Sequence, residues 1–271
     1  MGREEQIINE RLKKLEELRK LGIEPYAYCF DKQDSTKDLQ EKHEKLEAGS
    51  KSKAKAVIAG RVMTIRDIGK LIFADLQDSS GRIQVQLQEG ETSSKEIDFF
   101  KKFIDTGDFI GVEGTIARTK RGELSIIVKK LEILTKSILP LPEKWHGLQD
   151  KEERYRKRYL DLIMNPDVRK VFETRARIID EIRAYLKESN FLEVETPTLQ
   201  PLYGGADAKP FVTELNALKM KLYLSISPEL YLKKLTVGGF ERVFTICKNF
   251  RNEGIDRIHN LHYPVYNRHG L

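Results

Sequence analysis

Arg242-Val-Phe-Thr-Ile-Cys-Lys-Asn-Phe-Arg-Asn-Glu-Gly254 is an apolar, strand-like run that ends in an arginine and a glutamate two residues apart. Val243, Phe244 and Ile246 favour a buried, extended segment, so Arg251 leaves a rigid base through Phe250. Glu253 is expected on the same side. A planar, permanently charged guanidinium suits phosphate oxygens, and a nearby carboxylate can accept from an amine. Alone, such a pair is equally an ordinary surface feature at a strand end.

Upstream, the signals are mixed. Asp150 to Met164 reads as helix, and Pro166 opens a long helix to about Asn190 in which Phe172, Ala176, Ile179, Ile182 and Leu186 recur at helical spacing. Strand-like segments follow at Phe191–Thr196, Leu222–Ile226 and Val243–Ile246. With no βαβ alternation, no Gly-x-Gly-x-x-Gly and no Walker loop, neither a Rossmann nor a P-loop nucleotide site is expected. The pattern is α+β.

Further upstream the period falls to two. Val57–Val62, then Ile72, Ala74 and Leu76, then Ile83, Val85 and Leu87 after the turn Asp78-Ser-Ser-Gly81, read as strands. Phe109–Gly114 and Glu123–Val128 flank the turn Thr119-Lys-Arg-Gly122. Five strands and one helical insert, Ser94–Phe103, suit a small closed barrel of the oligonucleotide-binding (OB) kind, although a five-stranded sheet without a ligand fits the pattern too. Before it, residues 3–21 form an amphipathic helix with Ile8, Leu12, Leu15 and Leu18 on one face and Gly22 as C-cap. A second helix spans Ser35–Ala48, and Gly49-Ser-Lys-Ser reads as a linker.

A chain of 271 residues accommodates two domains. No apolar run approaches the ~20 residues of a membrane span, and the N-terminus lacks a signal-peptide layout. Cys29 and Cys247 offer no disulfide or zinc framework, so a reducing cytoplasm and inert packing thiols are expected. Net charge is +6, with basic residues crowded in Lys51–Lys55, Arg118–Arg121 and Arg154–Arg158. Such clusters can meet a phosphate backbone or simply be solvated.

Taken in order, Gly122-Glu-Leu-Ser-Ile126, His146-Gly-Leu-Gln-Asp150, Arg154-Tyr-Arg-Lys-Arg-Tyr-Leu-Asp-Leu-Ile163, Phe191-Leu-Glu-Val-Glu-Thr-Pro-Thr-Leu-Gln200, Gly204-Gly-Ala206, Ser227-Pro-Glu-Leu-Tyr-Leu-Lys233 and Gly238-Gly-Phe-Glu-Arg242 resemble the class II aminoacyl-tRNA synthetases, with phrasing closest to the lysyl-tRNA synthetase family. The likeness extends from Ile23 to Asn260. It implies an α+β multidomain protein: a helical arm over 1–50, an OB-type anticodon-binding barrel over 51–137, a linker over 138–149, and the N-terminal part of an antiparallel-sheet catalytic domain over 150–260.

The resemblance also implies roles. Phe73, Gln84 and Glu123 would read the anticodon, and Pro197 would mark the first motif, through which such enzymes form homodimers. Gly204, Gly205, Ala206 and Glu229 would bind lysine, with the Glu229 carboxylate on its α-ammonium. As a plain sequence feature, Glu229 is an early-helix acid. Arg251, Glu253, His259 and Asn260 would face ATP, with Arg251 catalytic. The implied reaction is ATP- and Mg2+-dependent activation of lysine and its transfer to lysine tRNA.

After Asn260 the likeness stops. Residues 261–271 match nothing in that family pattern and read as a divergent, unstructured tail, with His262 and His269 lacking partners for a metal site. The third class II motif and its metal carboxylates are missing from the sequence, so the chain is expected to be incomplete and its own activity doubtful. A catalytically inactive tRNA- or single-strand-binding fragment is the alternative.

Overall fold

Helix α1 (Arg3–Lys20) buries Leu15 and Leu18 and ends as the Gly22 signal requires. Gly22 adopts φ 72°; its N–H donates to Arg19 O and that of Ile23 to Leu18 O, each at 3.0 Å, a Schellman closure. One position of the expected stripe is overturned: Leu12 is 40% exposed whereas Arg11 is buried. The Arg11 guanidinium caps the carbonyls of Thr106, Ser137 and Leu139, which satisfies its donors inside the fold. The computed structural model describes residues 2–142, 148–254 and 262–270, the last as backbone.

Helix α2 (Thr36–Lys42) is capped by Ser35 Oγ, which accepts from Asp38 N–H. It stops well short of Ala48. Arg118 takes the His43 and Glu44 carbonyls at 2.9 and 3.1 Å, an alternative to another helical turn.

Five strands follow: β1 (Lys51–Asp67), β2 (Leu71–Gln77), β3 (Arg82–Gln88), β4 (Phe109–Arg118) and β5 (Leu124–Thr135), with α3 (Ser94–Phe103) between β3 and β4. They close as β1-β2-β3-β5-β4, the β3–β5 pair being parallel. The linker expected at 49–52 is partly strand, because β1 already begins at Lys51 and pairs with Ala117. Alternation does what the sequence implies: Ile72, Ala74, Leu76, Ile83, Val85 and Leu87 all fill the barrel interior. At Gly114 a Cβ would lie 2.2 Å from the Ile127 carbonyl oxygen, so β4 and β5 meet there at a distance only glycine permits.

The helix expected over 150–164 breaks at Lys157 into α4 (Lys151–Arg156) and α5 (Arg158–Met164). Asp161 is buried and accepts from Arg154 Nε at 2.8 Å and from Arg158. Two arginines of the third basic cluster are therefore held in the fold.

Residues 1–164 form one compact unit and residues 165–271 another. The second begins with α6 (Pro166–Glu188), then β6 (Leu192–Glu193), β7 (Leu199–Gln200), β8 (Val212–Leu215), β9 (Met220–Leu224), α7 (Glu229–Val237), β10 (Arg242–Phe250) and β11 (His262–Gly270). They make two three-stranded sheets, β11-β10-β6 and β7-β9-β8, antiparallel except for the β10–β6 pair. Of the stripe on α6, only Leu186 is buried, and Phe172 is 49% exposed.

The unstructured tail is also overturned. The backbone of 262–270 pairs residue for residue with 242–250. Tyr263, Val265 and Tyr266 favour strands, and Pro264, which cannot donate, falls on an edge strand, where proline is tolerated. Cys29 is exposed, not packed; Cys247 is half-buried, and burial pushes its thiol pKa up. Among the described residues, no helix is long and apolar enough to cross a membrane.

Candidate functional site

The outer face of the barrel is built by the residues that alternate with its core. Because Ile83, Val85 and Leu87 point inward, Gln84, Gln86 and Gln88 face the other way. Cross-strand register sets two parallel rows: Thr64–Asp75–Gln84–Ser125 and Arg66–Phe73–Gln86–Ile127. In the first, Thr64 Oγ1 donates to Asp75 and Ser125 Oγ donates to Gln84 Oε1 at 2.9 Å. In the second, the Arg66 guanidinium lies 5.7 Å from the Phe73 ring centroid.

The second row and Gln84 from the first together line a cavity of about 550 Å³, along with Glu123 and Arg121. Phe73, Gln84 and Glu123, far apart in sequence, are thus brought to one site. Glu123 is exposed just before β5, where its N–H donates to Thr119 Oγ1 at 3.0 Å. The positive rim is partly neutralised: Glu91 receives Lys51 and Lys129, which lower its pKa to about 2. An aromatic face, carboxamides and a carboxylate within a cationic rim is a donor and acceptor set suited to an unstacked base. Sequence reasoning missed Arg66, Gln86 and Ser125. The two-residue alternation points to Gln86, but only the register reveals that Arg66 lies opposite Phe73.

In the second unit three segments converge. Phe250 N–H donates to Ser225 O at 2.8 Å, and Asn252 N–H to Lys209 O at 2.7 Å. Glu253 accepts from Lys209 N–H at 3.3 Å, and half-buried Arg251 lies between Phe250 and Asn252. Gly204 and Gly205 press on the start of α7: a Cβ on Gly204 would lie 2.8 Å from Leu230 Cδ1, and one on Gly205, at φ 83°, 3.0 Å from Glu229 Cβ. Ala206 is half-buried beside them. Glu229 opens α7, where Ser227 Oγ accepts its N–H and its carboxylate holds the Lys233 ammonium. Pro197 is exposed, its carbonyl accepting from Gln200 Nε2 at 3.0 Å. His259 and Asn260 lie outside the described residues, as does His146.

The sequence pattern described as "tRNA synthetases class II (D, K and N)" matches residues 150–266, and that of the "OB-fold nucleic acid binding domain" matches 56–134. The first runs past Asn260, so half of the tail expected to match nothing falls within the family pattern. The chain thus joins an OB-fold domain to part of a class II aminoacyl-tRNA synthetase domain. The chain is 52% identical over 255 residues to the lysine–tRNA ligase of Methanoculleus marisnigri, covering 94% of this chain and 50% of that protein. With that of Carboxydothermus hydrogenoformans the identity is 51% over 260 residues, 96% of this chain and 52% of the relative. It belongs to the lysine–tRNA ligase family, and it spans about half the length of the curated relatives it matches.

Proposed function

We propose that the barrel binds the anticodon loop of lysine tRNA, and that the second unit carries part of a lysine- and ATP-binding site of a lysine–tRNA ligase. The observation that supports this most directly is the gathering of Phe73, Gln84 and Glu123 with Arg66 around one cavity. Phe73 offers a stacking face, Gln84 and Glu123 offer hydrogen-bonding edges, and the basic rim attracts the backbone.

In the second unit, Gly204 and Gly205 keep the wall beside Glu229 free of side chains, and the Glu229 carboxylate suits an ammonium ligand in place of Lys233. The donor set at Arg251 and Glu253 suits a nucleotide: the guanidinium for phosphate, the carboxylate for an amine. ATP would supply the adenylyl group that activates lysine, the lysine carboxylate bonding to the α-phosphorus as pyrophosphate leaves. Among the described residues, no group of three or more His, Cys, Asp or Glu side chains gathers to hold a metal ion such as magnesium. Pairing as a homodimer through the Pro197 segment, in the cytoplasm, completes the proposal.

Two measurements test it. Fluorescence anisotropy should show a lysine-tRNA anticodon stem-loop binding with an affinity that falls as salt rises, and Phe73→Ala should weaken binding by about 1–3 kcal/mol. An unchanged affinity in the folded variant removes the stacking role. In the ligase carrying this sequence, Arg251→Ala should lower lysine-dependent pyrophosphate exchange by about 100-fold or more; undiminished exchange would remove Arg251 from the nucleotide site.

A further inference from the structure

Ser125 ends the row that runs from Thr64 through Asp75 and Gln84, and none of the roles proposed for the barrel involves it. It is fully buried at 0% exposure, while Gln84 is 7% exposed and lines the cavity. The two are register partners on β3 and β5, and the Ser125 hydroxyl donates to Gln84 Oε1 at 2.9 Å. A carboxamide has one acceptor end and one donor end. Turning it through half a rotation exchanges them, and a buried hydroxyl that needs an acceptor penalises one of the two orientations.

We propose that Ser125 is a positioning residue that sets the hydrogen-bond polarity of the cavity wall. By engaging Oε1 it turns the two Nε2–H donors of Gln84 toward the cavity. The site then favours a base that presents a carbonyl at the edge it offers Gln84, as uracil does at its 4-position, over one that presents an amine there, as cytosine does. Phe73 supplies stacking to either pyrimidine, because every base has a π-face, so selection falls to the Gln84–Ser125 pair. The proposal rests on the anticodon-loop reading of the barrel.

The test uses the full chain, a lysine-tRNA anticodon stem-loop and its single uridine→cytidine variants, with dissociation constants measured by anisotropy. The wild-type chain should prefer uridine at one loop position by about tenfold, the scale of one good hydrogen bond. Ser125→Ala frees the carboxamide to rotate and should bring that ratio within about threefold of unity, while Phe73→Ala still weakens both loops in parallel. Gln84→Glu keeps the Ser125 donor but presents only acceptors, and should invert the preference toward cytidine. A merely structural role for Ser125 would lower both affinities and leave the ratio intact, which overturns the proposal. So does a Gln84→Glu chain that still prefers uridine, a readout that survives if Ser125→Ala fails to fold. Absence of wild-type binding instead removes the anticodon-loop reading, and the role of Ser125 goes with it.

Discussion

Lys136 shows how far a single side chain can depart from its usual place. Its ammonium is fully buried, donating to Phe103 O and Asp108 Oδ2 at 2.7 Å each and to Asp105. Burial pushes the Asp108 carboxyl pKa up against the pull of Lys136; burial also acts on Asp105, but the Lys136 and Lys14 ammonium groups hold it below its ordinary value. Lys136→Met should cost about 3–5 kcal/mol in urea unfolding, because it leaves carboxylates buried without their cation. A loss under about 1 kcal/mol would show that those acids fold neutral or hydrated. A lysine and an arginine read from sequence as solvated; nothing local to Lys136 or Arg11 announces a ring of acceptors some 30 to 130 residues away in the chain. Phe73 and Gln84 were legible as candidate site residues through the family resemblance, whereas the hydroxyl behind Gln84 depends on a parallel pairing that no local pattern encodes.

At the level of elements, the turn between β2 and β3 does more than reverse the chain. Asp78 Oδ1 accepts from the Ser80 and Gly81 N–H groups, and Oδ2 accepts from Lys32 Nζ and Thr36 N–H at 2.8 and 3.0 Å. One carboxylate thereby fastens the start of α2 to the barrel. Burial raises its pKa, but those donors prevail and hold it far below the usual aspartate range. A depressed folded pKa contributes stability that is present above the unfolded value of about 4 and is lost as pH falls through the folded one. Asp78→Asn should therefore flatten the decline of unfolding free energy with acid below about pH 4. An unaltered acid limb would assign the effect to other carboxylates, such as Asp105. The strands of the barrel, α3 and the C-terminal cap of α1 were legible because period and turn residues are local signals. The early end of α2 and strand β11 were not, since each meets a partner from elsewhere in the chain, Arg118 and β10; nor was the break at Lys157, which no turn residue marks.

For the whole molecule, the two units differ in which apolar side chains they bury among the described residues. The barrel interior is a continuous cluster running from Leu18 and Leu39 to Ile133. The second unit buries Leu186, Leu222, Ile226, Leu232, Val243 and Phe244, while Val171, Phe172, Ile178, Tyr185 and Val237 are exposed. Native-state hydrogen exchange should find β1–β5 protected to near the global free energy and β8 and α7 exchanging through cheaper openings; equal protection across both units would mean that they open as one. The helical spacing on α6 announced a helix but not its exposure, because periodicity reports which face is apolar and not whether a partner covers it. Arg11 adds a matter of timing. The carbonyls it holds lie 95 to 128 residues further along the chain. On a ribosome elongating at about 5–20 residues per second, α1 would wait roughly 6–25 s for its last anchor to be made. Helix α1 is thus made well before the carbonyls that seat it, and its apolar face is what a chaperone at the exit tunnel would meet in the meantime.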